Sequence, residues 1–170
     1  MSNSISSILY FIRRNHALEH ATIQILSARK KYSFLAGYSD WRGFWVLGEV
    51  DTLDLQNAAR EALNRLKGGE SRLAVHPHCG TNFAVSGLLA GTAAMLALAG
   101  ADSSRKKFER FPLVISLVTL ALIAAQPLGP KAQQHLTTCP QPGDLEIASV
   151  RVAPVQFARV HRILTIGSQE

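Results

Sequence analysis

Two histidines and a glutamate near the amino terminus are the residues best suited to chemistry. They lie in residues 15–22, Asn-His-Ala-Leu-Glu-His-Ala-Thr, where the histidines are four residues apart. On a helix, side chains at this spacing lie one above the other on the same face. Two imidazoles placed in this way can bind one metal ion, and the glutamate can act as a base toward a metal-bound water. We predict that His16 and His20 are metal ligands and that Glu19 is a catalytic base.

A helix that carries this trio is expected to be mostly buried. Ile12 and Ile23 fall on the same side as the trio, and Leu18, Ala21 and Ile25 fall on another side. Buried histidine and glutamate side chains must be paired, hydrogen-bonded or metal-bound. A metal site and a polar cluster without metal both fit this pattern.

A second polar cluster occupies residues 76–82, His-Pro-His-Cys-Gly-Thr-Asn. We expect a strand over residues 71–75 to lead into it. Histidine and cysteine are preferred zinc donors, and a catalytic zinc typically has three protein ligands. We therefore predict His76 as the third ligand, although an ordinary strand-to-helix loop fits equally well. The alternatives to His76 as third ligand are His78, Cys79 and Glu49.

Two long stretches without charge follow, at residues 83–101 and 111–128. Their length and composition are typical of transmembrane helices, and Gly87 and Gly91 favour close packing of the two. A buried hairpin in a soluble protein is the alternative. We predict an integral membrane protein with the lipid bilayer as its partner. The basic connector at residues 102–110 and the basic amino-terminal part point to opposite orientations, so the sidedness stays open.

The remaining elements come from hydrophobic periodicity. Helical spacing predicts helices over residues 4–29 and 53–67. Alternation between turn residues predicts strands over residues 32–40, 43–50 and 145–152.

This order of elements predicts an α+β fold, a small mixed domain with a two-helix transmembrane hairpin inserted before the carboxy-terminal strands. The expected domain limits are 1–82 for the α+β domain with the histidine helix, 83–130 for the hairpin, and 131–170 for the segment that completes the α+β domain. We expect Trp41 and Trp45 to lie in the core of the sheet.

Composition narrows the classes of partner. The 170 residues carry 18 Lys+Arg against 12 Asp+Glu, a net charge of +6, which suits a membrane surface or a nucleic acid. The basic residues form no stripe interleaved with aromatic residues, so we expect no nucleic-acid partner. Cys79 and Cys139 fit either one disulfide or two free thiols. No signal peptide is evident in residues 1–7.

Two resemblances accompany these motifs. The pattern His16-x-x-Glu19-His20 resembles the inverted zinc motif of the pitrilysin-type peptidases (inverzincins), which implies zinc bound by the two histidines and a glutamate base. The third ligand of those peptidases is a distant helical glutamate, and residues 83–101 contain none.

The second resemblance covers most of the chain. Residues 15–22, 43–45 and 76–82, together with the two apolar stretches, resemble an uncharacterised family of small bacterial membrane proteins. That resemblance implies a domain layout and no activity.

These observations favour a membrane-anchored metal-binding protein, with zinc as the expected cofactor and a zinc-dependent hydrolase as its most specific form. The alternative is a non-catalytic membrane protein. Such a protein would bind a porphyrin or another pigment through a helical histidine, or would act as a structural subunit that assembles with membrane proteins or with copies of itself.

Overall fold

The computed structural model describes residues 5–29, 32, 34–153 and 159–168. It has helices and one antiparallel sheet, which confirms the predicted α+β class. The chain divides into two compact units. The first unit comprises Met1–His76 and Gln134–Glu170, and the second comprises Pro77–Gln133.

The described residues of the first unit form two α-helices and four strands. The helices are α1 (Ile5–Arg29) and α2 (Thr52–Lys67), and the strands are β1 (Ala36–Asp40), β2 (Gly43–Leu47), β3 (Glu146–Ala153) and β4 (Val160–Ile166). The strand order is β1-β2-β4-β3, and every neighbouring pair is antiparallel. The carboxy-terminal strands therefore complete the sheet that the β1–β2 hairpin begins, as the sequence predicts.

The core of this unit lies where α1 and α2 cover the sheet. Leu18, Phe44, Leu55 and Ile163, from α1, β2, α2 and β4, have no exposed surface. The carboxylate of Asp51 caps α2 by accepting hydrogen bonds from the first backbone amides of the helix, as a helix N-cap does. Apolar burial of this kind is the main source of stability of a small domain.

Asn15 fixes the position of α1 on the sheet. Its Nδ2 donates to the Asp40 carbonyl at 2.9 Å, and its Oδ1 accepts from the Thr165 hydroxyl at 2.7 Å. Asn15 is fully buried, so both bonds are shielded from water. Because β1 and β4 hold Asn15, the backbone position of the adjacent His16 is fixed as well.

Two expectations for this unit are wrong. Residues 71–75 form no strand, since Ser71–Ala74 is a 3₁₀ helix. The carbonyls of Leu73 and Ala74 accept hydrogen bonds from side chains of α1, which take the place of a sheet ladder. Trp41 lies at the β1–β2 turn, outside the core, and is 51% exposed, whereas Trp45 is half-buried under the Arg162 guanidinium.

By sequence, residues 157–166 fit either a further strand or a short helix, and part of this range lies outside the described residues. The described part contains the strand β4, so the helical alternative is wrong there.

The second unit contains two long helices and a short one. They are α3 (Gly80–Leu98), α4 (Ser104–Glu109) and α5 (Phe111–Ala132), and a π-helical turn, Gln133–Thr137, continues the last of them. α3 and α5 pack against each other. Gly80–Leu98 and Phe111–Thr137 are long and apolar enough to cross a membrane, and only 6% of the most apolar window of each is buried.

Among the small residues of α3, Gly87 and Gly91 do not make the close approach, because a side-chain carbon at either position would meet open space, whereas Ala97 is buried. The close approach occurs at Gly129 of α5. A Cβ atom there would lie 2.5 Å from Oδ1 of Asn82, the same oxygen that accepts a 2.6 Å hydrogen bond from Gln133. Polar contacts therefore fasten the α3–α5 pair near the start of α3.

We expect Asn15→Ala to lower the free energy of unfolding by about 2 kcal/mol, because it leaves a buried carbonyl and a buried hydroxyl without this partner. Denaturant melts of detergent-solubilised protein, followed by circular dichroism, measure the change. Ser27→Ala, at an exposed position of α1, is the control and should change stability by less than about 0.5 kcal/mol. Equal melts for Asn15→Ala and wild type would contradict the anchoring role.

Candidate metal centre

The central turns of α1 place His16, Glu19 and His20 in a partly or fully buried setting. His20 is 2% exposed and Glu19 is 5% exposed, while His16 is half-buried. The two imidazole rings meet edge to face, with centroids 4.3 Å apart and planes at 61°. The helix therefore stacks the two rings, as the four-residue spacing predicts.

Each ring is held by a backbone carbonyl. Nδ1 of His16 lies 3.0 Å from the Thr137 oxygen, and Nδ1 of His20 lies 2.7 Å from the Ala74 oxygen. A carbonyl oxygen only accepts, so each Nδ1 carries the proton and donates it, and the lone pair of the neutral ring lies on Nε2. Metal-binding histidines are held in this way, with one nitrogen donating and the other binding the ion.

The spacing of the two rings suits one shared ion. A ring nitrogen of His16 and one of His20 lie within 4.8 Å of each other. Zinc–nitrogen bonds of about 2.0–2.1 Å in a tetrahedral site place two ligand nitrogens about 3.4 Å apart, a separation that lies within this limit. Glu19 and His76 do not belong to this close group.

His76 lies beside the pair, with its ring centroid 5.7 Å from that of His20. Gln24, one helical turn after His20, fixes the segment of chain just before His76. Nε2 of Gln24 donates to the carbonyls of Leu73 and Val75 at 2.8 and 3.0 Å. His76, the predicted third ligand, is thus held near His20, but its ring lies farther from the His20 ring than the His16 ring does.

Glu19 faces β1. It accepts a 2.5 Å hydrogen bond from the Ser39 hydroxyl. Burial raises the pKa of Glu19, and the Ser39 bond and nearby His16 only partly oppose that rise. Gly37 makes the room, since a Cβ atom there would lie 2.1 Å from Oε1 of Glu19.

The alternative third ligands differ in their surroundings. Glu49 is exposed just after β2. His78, which is exposed, and Cys79 belong to the second unit, where the Cys79 sulfur caps α3 by accepting from the Thr81 amide at 3.4 Å. Cys79 and Cys139 are free thiols, so the disulfide interpretation is wrong.

Sequence reasoning missed three residues that shape the site: Gln24, Gly37 and Ser39. A glycine inside a strand indicates a bulge or a close approach of another group, so Gly37 carried a usable signal. Gln24 and Ser39 carried none, because their partners lie 49 and 20 residues away along the chain.

Comparisons with known proteins find a matching family model and a similar sequence, and neither description gives an activity. A family model described as "Domain of unknown function (DUF6391)" matches residues 11–150. An uncharacterized protein of Picosynechococcus sp. (strain ATCC 27264 / PCC 7002 / PR-6) is 39% identical over 142 residues, which are 76% of this chain and 67% of the relative. No solved structure matches the chain.

We expect Gly37→Ala to displace the Glu19 carboxylate and to cost about 1–3 kcal/mol of stability, the usual cost of overpacking a filled site. Glu19→Ala removes the atoms that clash. The double variant should therefore lose less stability than the sum of the two single variants, by about 1 kcal/mol or more. Chemical denaturation of the four proteins measures this coupling.

Gly68→Ala is the matched control, because its added Cβ atom would make only ordinary contacts at 3.4 Å. Strict additivity of Gly37→Ala and Glu19→Ala would show that the carboxylate does not lie against this glycine.

Proposed function

Since the chain belongs to the family described as a domain of unknown function (DUF6391), we propose its function from the site alone. We propose that it is a membrane-anchored metal-binding protein in which His16 and His20 hold one zinc ion and His76 is the third ligand. Its most specific form is a zinc-dependent hydrolase with Glu19 as the base.

The orientation of the two histidines carries this proposal. The Nδ1–H group of each ring donates a hydrogen bond to a backbone carbonyl, so the lone pair of each neutral ring lies on Nε2. One metal ion bound by both Nε2 atoms would use the ligand type that zinc prefers.

Glu19 supports the hydrolytic form. Zinc, when bound, lowers the pKa of a coordinated water to about 7. Glu19 is adjacent to one ligand and one helical turn from the other. Its pKa is raised by burial, which moves it toward the range in which a general base works at neutral pH. The Ser39 hydroxyl and the space at Gly37 hold the carboxylate in one position.

The membrane anchor rests on α3 and α5. A helix pair in the core of a soluble protein would have mostly buried residues, whereas only 6% of the residues in the most apolar part of each helix are buried. Exposed apolar surface of this length costs free energy in water and is stabilised by a bilayer. We propose that this pair spans the membrane.

Metal analysis tests the ligand set. Detergent-purified wild type should contain about one zinc per chain, and His16→Ala and His20→Ala should each lose most of it, since a two- or three-ligand site cannot spare one. Inductively coupled plasma mass spectrometry measures the content. His76→Ala and Cys79→Ala, compared side by side, identify the third ligand. Glu19→Gln should keep the metal.

His135→Ala is the matched control, because His135 is an exposed histidine of the same unit and should retain full metal content. Wild type and His20→Ala with equal zinc would end the proposal. A Soret band in the absorption spectrum of the purified protein would instead favour the porphyrin alternative.

Membrane insertion has its own test. Leu88 and Leu120 are exposed near the centres of α3 and α5. We expect the Leu88→Arg/Leu120→Arg double variant to leave the membrane fraction under carbonate extraction, since an arginine at a helix centre costs about 2.5–3.5 kcal/mol on insertion scales. Leu53→Arg, at an exposed leucine of α2, is the control and should stay in the membrane. Carbonate release of the wild type would disprove the anchor.

A further inference from the structure

A cleft of about 320 Å³ opens on the first unit, away from the histidines. Its walls come from α1, the β1–β2 turn, β3 and β4, and they include Ile8, Phe11, Trp41, Arg42, Ala148 and Leu164. The volume lies at about the lower end of small-molecule sites, which are mostly apolar with a few polar groups that orient the ligand.

Among the described residues that line the cleft, Arg42 is the one with a charged side chain. Its guanidinium lies 5.2 Å from the Trp41 ring centroid. Within the described residues no carboxylate lies within ion-pair distance of it, and the nearby Asp40 is paired with Arg162 at 2.7 Å. Arg42 is therefore a positive charge in the cleft that no carboxylate of the described residues neutralises.

The remaining walls offer little to a polar ligand. Thr165 lines the cleft, but its hydroxyl already donates to Asn15. Trp41 is 51% exposed and Ile166 is 57% exposed, so the described residues leave apolar surface of these two side chains uncovered. Apolar walls beside a single guanidinium match a molecule that is apolar along its length and anionic at one end.

We propose that this cleft binds an anionic amphiphile, whose apolar chain lies between α1 and the end of β4 and whose head group pairs with Arg42. A free fatty acid and an anionic phospholipid share this chemistry. The inference does not depend on the metal site, because no cleft residue is one of the proposed ligands.

Photo-crosslinking of the full chain in phosphatidylcholine nanodiscs tests the proposal. Palmitic acid carrying a diazirine in its chain is added and irradiated, and mass spectrometry maps the labelled peptides. We expect label on the peptides that contain Ile8 and Leu164, and excess oleic acid should remove it. Nanodiscs with photoreactive phosphatidylglycerol form a parallel arm, and the arm that labels the cleft more strongly identifies the source of the ligand.

Two substitutions probe the two features of the cleft. Arg42→Gln should lower cleft labelling about tenfold, the effect expected from losing one charge-assisted pairing. Ala148→Trp should lower it by filling the space at an exposed position, and its circular dichroism melt shows whether the fold is kept. Arg60→Gln, at an exposed arginine of α2, is the matched control and should label like wild type.

His20→Ala should keep cleft labelling, so a failed metal site and a failed lipid site give different results. Label confined to α3 and α5, in both arms, would overturn the proposal. Cleft labelling that survives oleic acid, Arg42→Gln and Ala148→Trp would overturn it as well.

Discussion

The burial of ionisable side chains on α1 is the constraint on which the rest of this structure depends. His20 and Glu19 are almost wholly removed from water, and buried groups of this kind need partners. The partners are the Ala74 carbonyl for His20, the Ser39 hydroxyl for Glu19 and the Thr137 carbonyl for His16. Each comes from a different segment, so the site exists only when the whole first unit is assembled.

The same bonds connect the site with the point where the chain leaves and re-enters the first unit. Ala74 lies just before the second unit in the sequence, and Thr137 lies just after it. The two carbonyls that orient the histidines are thus supplied by the two segments that adjoin the apolar helices. A disturbance of either segment would alter the orientation of an imidazole, and with it the donor set offered to a metal.

α1 carries three separate tasks along its length. Its first turns line the apolar cleft through Ile8 and Phe11. Its centre is anchored to the sheet by Asn15 and presents the histidine pair. Its later part uses Gln24 to fix the segment that leads to His76. One helix therefore carries both the histidine pair and part of the cleft wall, and buried hydrogen bonds hold that helix on the sheet.

The sequence by itself determined the long helices, the β1–β2 hairpin and the contact between the rings of His16 and His20, because periodicity and residue spacing are local properties. It failed at residues 71–75, whose carbonyls are taken by side chains of α1 and not by a strand. Only the tertiary structure decided which nitrogen of each imidazole holds the proton and why Gly37 must lack a side chain. The deciding partners are 54 and 121 residues away for the two histidines, and no local pattern encodes a contact across such separations.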